Sequence, residues 1–340
     1  MATTRISAQL PPHIDQTKSS LAYGNRMLPK LNRELSGLEL ITKQRALVSL
    51  CEVMHKPENI AESVRVGVVE SLKDLLGDED QTVRIKTTQV LYILSTHAIG
   101  REAFLSCNVI LPLSKLFDDD VIDVRVNVHS TLEKLSSDPM GARAILTADL
   151  VPTLVEKVKS EDDEIKELIL TSLHYCMMID PGPCLATAAM ATFTDLLSHA
   201  LPPIRSKAAL AIQDLSFPLA GKKQACQSGC VPTLASLLED VSPGVRACAA
   251  GALMTISITT EGKFLCLKAG VIPRAVSLLS DPNNDVKINA IKVITTLAES
   301  PQGRKELSES LPKLDPLCNH GNETISKAAS IAINVIQWKP

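Results

Sequence analysis

The chain has 340 residues, of which 45% are hydrophobic and 21% are charged, so it holds enough apolar material for a substantial buried core. Only 3% of the residues are aromatic, which predicts a core of Leu, Ile, Val and Ala. The formal net charge of −3, without any Lys/Arg run, disfavours a nucleic-acid-binding protein.

The N-terminal segment, residues 1–20, is polar and is predicted to be a flexible arm ahead of a repeat array over residues 21–340. It lacks the apolar stretch of a secretory signal. The longest apolar run, near Leu168–Ile179, fits a helical stripe better than a bilayer span. We therefore expect a soluble intracellular protein without a membrane segment, whose nine cysteines act as small apolar residues in a reducing compartment.

A basic residue preceded by an aliphatic one recurs along the chain at steps of 41, 41, 39, 41 and 41 residues. We call these positions the basic row: Arg84, Arg125, Lys166, Arg205, Arg246 and Lys287. A glycine row follows it 16 residues later: Gly100, Gly141, Gly182, Gly221, Gly262 and Gly303. Both rows contract by two residues at the same place, between Gly182 and Arg205, which identifies an internal repeat of about 40 residues.

The repeat over residues 230–270 shows the plan most clearly. Val231-Pro232 begins one predicted helix, and Ser242-Pro243 begins a longer one. The longer helix carries an apolar stripe on one face, made of Val245, Ala249, Leu253 and Ile256. A third, shorter helix is predicted to end at a left-handed cap, a position that other repeats fill with the residue types that tolerate this backbone: Gly67, Asn108, Asp149, Gly229 and Gly270.

Three helices of about 10, 14 and 8 residues per repeat are typical of armadillo repeats. The sequence therefore predicts an all-α, armadillo-type α-solenoid: a right-handed superhelix of about eight three-helix repeats. The first repeat lies near Leu28–His55, with Lys43 in the basic row. The last, Leu311–Trp338, has Ser326 there, and such degenerate ends are expected of terminal repeats.

We find no pattern of catalytic residues, and we expect no enzyme, cofactor, metal or small-molecule substrate. TTEGKF at Thr259–Phe264 is the nearest approach to a phosphate-binding loop, but its Gly-Lys pair is an element of the repeat. Cys226 and Cys230 could form half of a zinc site, yet no second pair stands nearby, and packing in the core is the favoured interpretation. The acidic run Asp118–Asp120 is interpreted as favouring the N-terminus of a helix.

In armadillo folds the longest helix lines a concave groove, and the peptide-binding members place Asn and Trp there. The position equivalent to Asn falls nine residues after the basic row and holds the candidate partner contacts, which we call the groove row: Glu52, Ile93, Lys134, Tyr175, Asp214, Thr255 and Thr296. The row contains no Asn, and the position equivalent to Trp contains no Trp. A nuclear-import adaptor is therefore disfavoured, and the changing chemistry favours a surface fitted to one particular partner.

Several longer stretches resemble a known family. LAYGNRMLPKLNREL at Leu21–Leu35, VRIKTTQVL at Val83–Leu91, IRSKAAL at Ile204–Leu210 and NVIQWKP at the C-terminus are similar to the radial spoke head 14 family of armadillo-repeat proteins. The resemblance covers nearly the whole chain.

The resemblance implies a non-enzymatic structural component of the axonemal radial spoke in motile cilia and flagella. Such a protein would belong to the cytoskeleton and bind other radial spoke proteins in a large complex, without nucleic acid or membrane. The alternative is a soluble armadillo adaptor that binds a signalling or transport partner in its concave groove.

Overall fold

The computed structural model describes residues 15–339, and over this range every regular element is helical. The prediction of an all-α, armadillo-type solenoid is confirmed. The described residues form two compact units, divided between Ala144 and Ile145.

The first unit contains eight helices and the start of a ninth at its boundary. In chain order they are α1 (Met27–Leu35), α2 (Leu40–Val53), α3 (Pro57–Arg65), α4 (Val68–Asp74), α5 (Gln81–Ser95), α6 (Ala98–Ser106), α7 (Ile110–Ser114), α8 (Ile122–Ser136) and α9 (Pro139–Thr147). The long helices of this unit stack in order, α2 against α5 and α5 against α8.

The second unit continues the same plan. Its helices are α10 (Val151–Ser160), α11 (Asp163–Ile179), α12 (Gly182–Leu185), α13 (Ala189–Leu196), α14 (Pro202–Leu215), α15 (Leu219–Ser228), α16 (Cys230–Leu237), α17 (Pro243–Ile256), α18 (Thr260–Lys268), α19 (Val271–Ser277), α20 (Asn284–Ala298), α21 (Pro301–Leu307), α22 (Leu311–Leu314) and α23 (Glu323–Gln337). The long helices α11, α14, α17, α20 and α23 stack in this order.

The predicted repeat plan is confirmed by residues 230–270, where α16, α17 and α18 have 8, 14 and 9 residues. Residues of the predicted apolar stripe, such as Val245 and Leu253, are fully buried. The five predicted caps also adopt positive φ, including the non-glycine residues Asn108 and Asp149, both at 53°. A short polar side chain lowers the cost of the left-handed backbone, which explains why three residue types share one position.

The two-residue contraction falls on α12, which keeps only four residues where α15 and α18 have 10 and 9. Pro181 and Pro183 surround its first residue, and each lacks the backbone N–H that a longer helix would use.

Residues 15–20 belong to the predicted arm and contact α2. The Ser19 N–H donates to Arg45 O at 3.3 Å and to Ser49 Oγ at 3.0 Å, and Lys18 pairs with Glu52. Residues 1–14 lie outside the described residues, so the extent of the arm stays a prediction.

Candidate protein-binding surface

Three arginines of the basic row, Arg84, Arg205 and Arg246, join successive repeats. Arg205 Nη1 donates to the carbonyls of His199 and Ala200 in its own repeat, both at 2.8 Å, and its Nε donates to Asp240 Oδ2 of the next repeat at 2.9 Å. Two further pairs repeat the arrangement: Arg84 with Asp119, and Arg246 with Asp281. These side chains are committed to the fold, so the most regular feature of the sequence is structural.

Asp119 lies within the acidic run that we interpreted as favouring a helix N-terminus, but its carboxylate pairs with Arg84. Burial acts to raise its pKa, yet the hydrogen bonds from Arg84 and from the Val121 N–H hold the pKa below the ordinary value. The acid therefore links two repeats within the first unit.

The glycines of the glycine row, except Gly182, let the shorter helix approach the end of the long helix. A Cβ added at Gly221 would lie 1.6 Å from the Leu215 carbonyl oxygen, and one at Gly262 would lie 2.0 Å from that of Ile256. The basic residue after the glycine completes the contact: Lys263 Nζ donates to Ile258 O at 3.1 Å. The Gly262-Lys263 pair, which resembles part of a phosphate-binding loop in the sequence, thus contacts backbone carbonyls at the end of the long helix.

Two observations on the described residues concern the cysteines and the helix lengths. Cys230 is buried and its thiol donates to Ala225 O, and residues 15–339 contain no group of three metal-ligating side chains. No helix in that range has the length and apolar character to cross a membrane.

In the first unit the groove row is partly accessible. Glu52 is exposed and pairs with Lys18, Ile93 is half-buried, and Lys134 lies 2.9 Å from Glu133.

In the second unit the groove row is mostly engaged by the protein itself. Asp214 and Thr255 are only 5% and 1% exposed. Thr296 Oγ1 lies 2.6 Å from Ser257 Oγ, and the ring of half-buried Tyr175 lies 5.2 Å from that of His174. As partner contacts, the residues of the groove row stay a prediction.

Asp214 is held by the adjacent long helix. His174 Nδ1 on α11 lies 2.6 Å from Asp214 Oδ2 on α14. Burial raises the pKa of Asp214, and the hydrogen bond with His174 opposes the shift without cancelling it. The carboxyl group of Asp214 is therefore bound by His174 within the second unit.

A different set of side chains in the second unit is exposed and apolar. It occupies the position twelve residues after the basic row, at the C-terminal ends of the long helices. We call it the apolar ridge: Met178, Phe217, Ile258 and Trp338, which are 66%, 60%, 52% and 56% exposed. Stacked helices lie about 8–10 Å apart, and Met178, Phe217 and Ile258 lie on three successive repeats, whereas Trp338 lies two repeats after Ile258. Because contiguous exposed apolar surface is typical of binding sites, the ridge is a candidate binding surface.

The ridge is particular to the second unit. Glu299 interrupts it on α20, and the same position in the first unit holds polar residues: His55, Thr96 and Ser137. The sequence reasoning missed the ridge because it compared only the two positions that bind peptides in other armadillo proteins. Reading every offset from the basic row for exposed apolar residues would have found it.

A groove of about 510 Å³ adjoins the C-terminal end of the ridge. We call it the C-terminal groove and define it by its lining: Glu299, Arg304, Ile331, Asn334, Val335 and Trp338. The Arg304 guanidinium carbon lies over the Trp338 ring, 5.0 Å from its centroid, in a cation–π arrangement.

No family model matches the chain. A crystal structure of an engineered protein is similar to it, with a TM-score of 0.86 and 22% sequence identity, over 93% of this chain and 79% of that one. At this identity the likeness concerns the fold alone.

Proposed function

We propose that this chain is a non-enzymatic structural component of the axonemal radial spoke in motile cilia and flagella, where it acts as a scaffold that binds other spoke proteins. The apolar ridge of the second unit is the observation that carries the scaffold role. The resemblance of the long sequence stretches to the radial spoke head 14 family supports the location.

The ridge suits docking within a large assembly better than tight binding by itself. Full burial of one large apolar side chain contributes about 1.5–3 kcal/mol, and the ridge residues are already partly covered. Association costs about 4–15 kcal/mol, and four partly exposed residues offset only the lower part of this range. The ridge therefore acts as part of a wider interface, as expected for a subunit that contacts several neighbours.

The fixed geometry of the basic row also suits a scaffold. Each paired arginine connects two backbone carbonyls of one repeat to a carboxylate of the next. An array joined in this way presents its ridge residues at fixed separations, so little conformational entropy is lost when a partner docks.

The alternative, a soluble adaptor with a peptide in its concave groove, has less support in the second unit. There Asp214 and Thr255 are buried, and Gln213 occupies the space beside Gly251. A peptide clamp needs accessible polar groups at these positions. A substitution at Lys134 in the first unit is the better test of the alternative. Lys134→Glu should abolish the binding of a ligand in the groove while leaving the fold intact.

The proposal is tested in ciliated cells that express the tagged chain. After detergent and high-salt extraction, we expect the chain in the axonemal pellet, and Phe217→Glu should move most of it to the soluble fraction. Val241→Glu is the matched control, because Val241 is highly exposed in the same unit but lies outside the ridge. Recovery of the parent chain wholly in the detergent-soluble fraction would overturn the axonemal assignment.

A further inference from the structure

Arg304 directly follows Gly303 of the glycine row, and its side chain is held in the same way as the paired arginines of the basic row. Its Nη1 donates to Ala298 O at 3.1 Å and Glu299 O at 3.0 Å, the carbonyls six and five residues earlier. Arg205 Nη1 donates to the carbonyls at the same two offsets. Two fixed hydrogen bonds leave the guanidinium little freedom to turn.

Arg304 and Arg205 differ at the other edge of the guanidinium, which is formed by Nε and Nη2. In Arg205 and Arg246, Nε and Nη2 bind an aspartate of the next repeat at 2.7–2.9 Å. For Arg304, no carboxylate among residues 15–339 lies within ion-pair distance. The nearby carboxylate of Glu299 is paired instead with Lys263 at 2.7 Å.

Arg304 lines an apolar groove. It does so together with Ile331, Val335 and Trp338, and its guanidinium carbon lies over the Trp338 ring. A planar fork with Nε and Nη2 matches the two oxygens of a carboxylate. The three apolar side chains beside it form a surface on which one bulky apolar group can pack.

We propose that the C-terminal groove binds a segment of a partner protein in which a bulky apolar side chain stands next to a carboxylate. The apolar side chain packs on Trp338, Ile331 and Val335, and the carboxylate accepts hydrogen bonds from Nε and Nη2 of Arg304. Charge complementarity selects the occupant, because the same fork already binds aspartate elsewhere in this unit.

This binding site adds detail to the proposed scaffold role, and it rests on that role only in assuming that the partner is a protein. Its test uses the purified full chain, so a negative result there leaves the axonemal fractionation unaffected. A loss of axonemal association would likewise leave peptide binding measurable.

The probe is a fluorescein-labelled peptide, Ser-Asp-Glu-Leu-Phe-Asp-Leu-Glu-Ser, with two analogues. One analogue carries Asn and Gln in place of Asp and Glu, and the other carries Ser in place of Leu and Phe. Polarisation of the label measures binding. In a second titration with unlabelled peptide, the tryptophan fluorescence of the protein reports on the groove itself, because Trp338 is the only tryptophan of the chain.

We expect saturable binding of the parent peptide, with a blue shift of the tryptophan emission as Trp338 loses contact with water. Both analogues should bind at least about 10-fold more weakly, because each removes one of the two required groups. These comparisons leave the protein unchanged, so they do not depend on how a variant folds. Equal binding of the neutral analogue, or no saturable binding of the parent peptide, would overturn the proposal.

On the protein side, Arg304→Gln should weaken the parent peptide at least about 10-fold and leave the weak binding of the neutral analogue unchanged. Lys305→Gln removes the same charge from an exposed neighbour on α21 and should bind as the parent chain does. An equal loss in both variants would show general charge attraction and overturn the assigned contact. Tighter binding of a single-stranded oligonucleotide than of the peptide would identify a nucleic-acid partner and overturn the proposal as well.

Discussion

The Asp240 carboxylate accepts hydrogen bonds from the Nε and Nη2 of Arg205, which lies 35 residues earlier in the chain, at 2.9 and 2.7 Å. The two side chains are 13% and 7% exposed, so the pair is shielded from water far more than an ordinary surface ion pair. The loss of one partner leaves the other charge partly buried.

We therefore expect Asp240→Asn to lower the free energy of unfolding by about 2–4 kcal/mol, because the Arg205 guanidinium loses its ionised partner. Urea denaturation followed by circular dichroism measures the change. Glu323→Gln, in a largely exposed pair with Lys327, is the control and should cost less than about 0.5 kcal/mol. Similar losses in both variants would contradict the structural role of the basic row.

Gly221→Ala tests the close approach of α15 to the end of α14. The new Cβ would lie 1.6 Å from Leu215 O, and a backbone carbonyl cannot move aside as a side chain can. We expect a loss of about 3 kcal/mol or more in thermal or urea unfolding. Gly77→Ala provides a comparison without any atom within 4 Å, and its stability should remain within about 1 kcal/mol of the parent.

Asp214 gives a pH-dependent prediction. Burial raises its pKa above the ordinary value of 3.8, so the folded state holds the proton more tightly than the unfolded chain. Stability from this group is therefore present at low pH and falls as the pH rises from 3.8 through the folded-state pKa.

Asn at position 214 does not titrate, so the stability of Asp214→Asn relative to the parent should increase as the pH rises above 3.8. Urea denaturation at pH intervals above this value measures the difference. A difference that stays constant, or that decreases with pH, would show that the carboxylate is not penalised by burial.

The buried thiols should resist alkylation in the native protein. Burial raises the pKa of Cys176 and Cys266 to about 12, which leaves very little thiolate at about pH 8. Iodoacetamide labelling followed by peptide mass spectrometry should modify these residues only after unfolding, whereas half-buried Cys318 serves as the internal reference. Labelling of Cys266 at the rate of Cys318 would mean that α18 opens readily.

The repeat, the core stripe and the caps could be predicted from the sequence because each depends on a local periodicity. Leu253 is buried because it falls on the apolar face of α17, and Asp149 adopts positive φ because the chain must turn there. Both properties recur at a fixed step, so they are visible without any knowledge of neighbouring repeats.

The partners of the polar side chains could not be predicted in the same way. The pairing of Arg84 with Asp119 depends on the packing of successive repeats, and the acid alone is indistinguishable from a helix-capping residue. Likewise, the groove row was chosen by position in other armadillo proteins, and the burial of Asp214 depends on how closely α11 and α14 pack. The exposure of Phe217, which lies just beyond the end of α14, is also a property of the packing.

The brevity of α12 has a consequence for how this architecture tolerates change in length. Two residues are missing from the segment before Arg205, yet α11 and α14 still pack against each other on either side of it in sequence. The register of the array is thus carried by the long helices, and the short helix acts as a spacer whose length can drift. Insertions or deletions near residues 180–188 should therefore be accepted during evolution, while a single-residue slip inside α14 would rotate its buried face by about 100° away from the neighbouring helices.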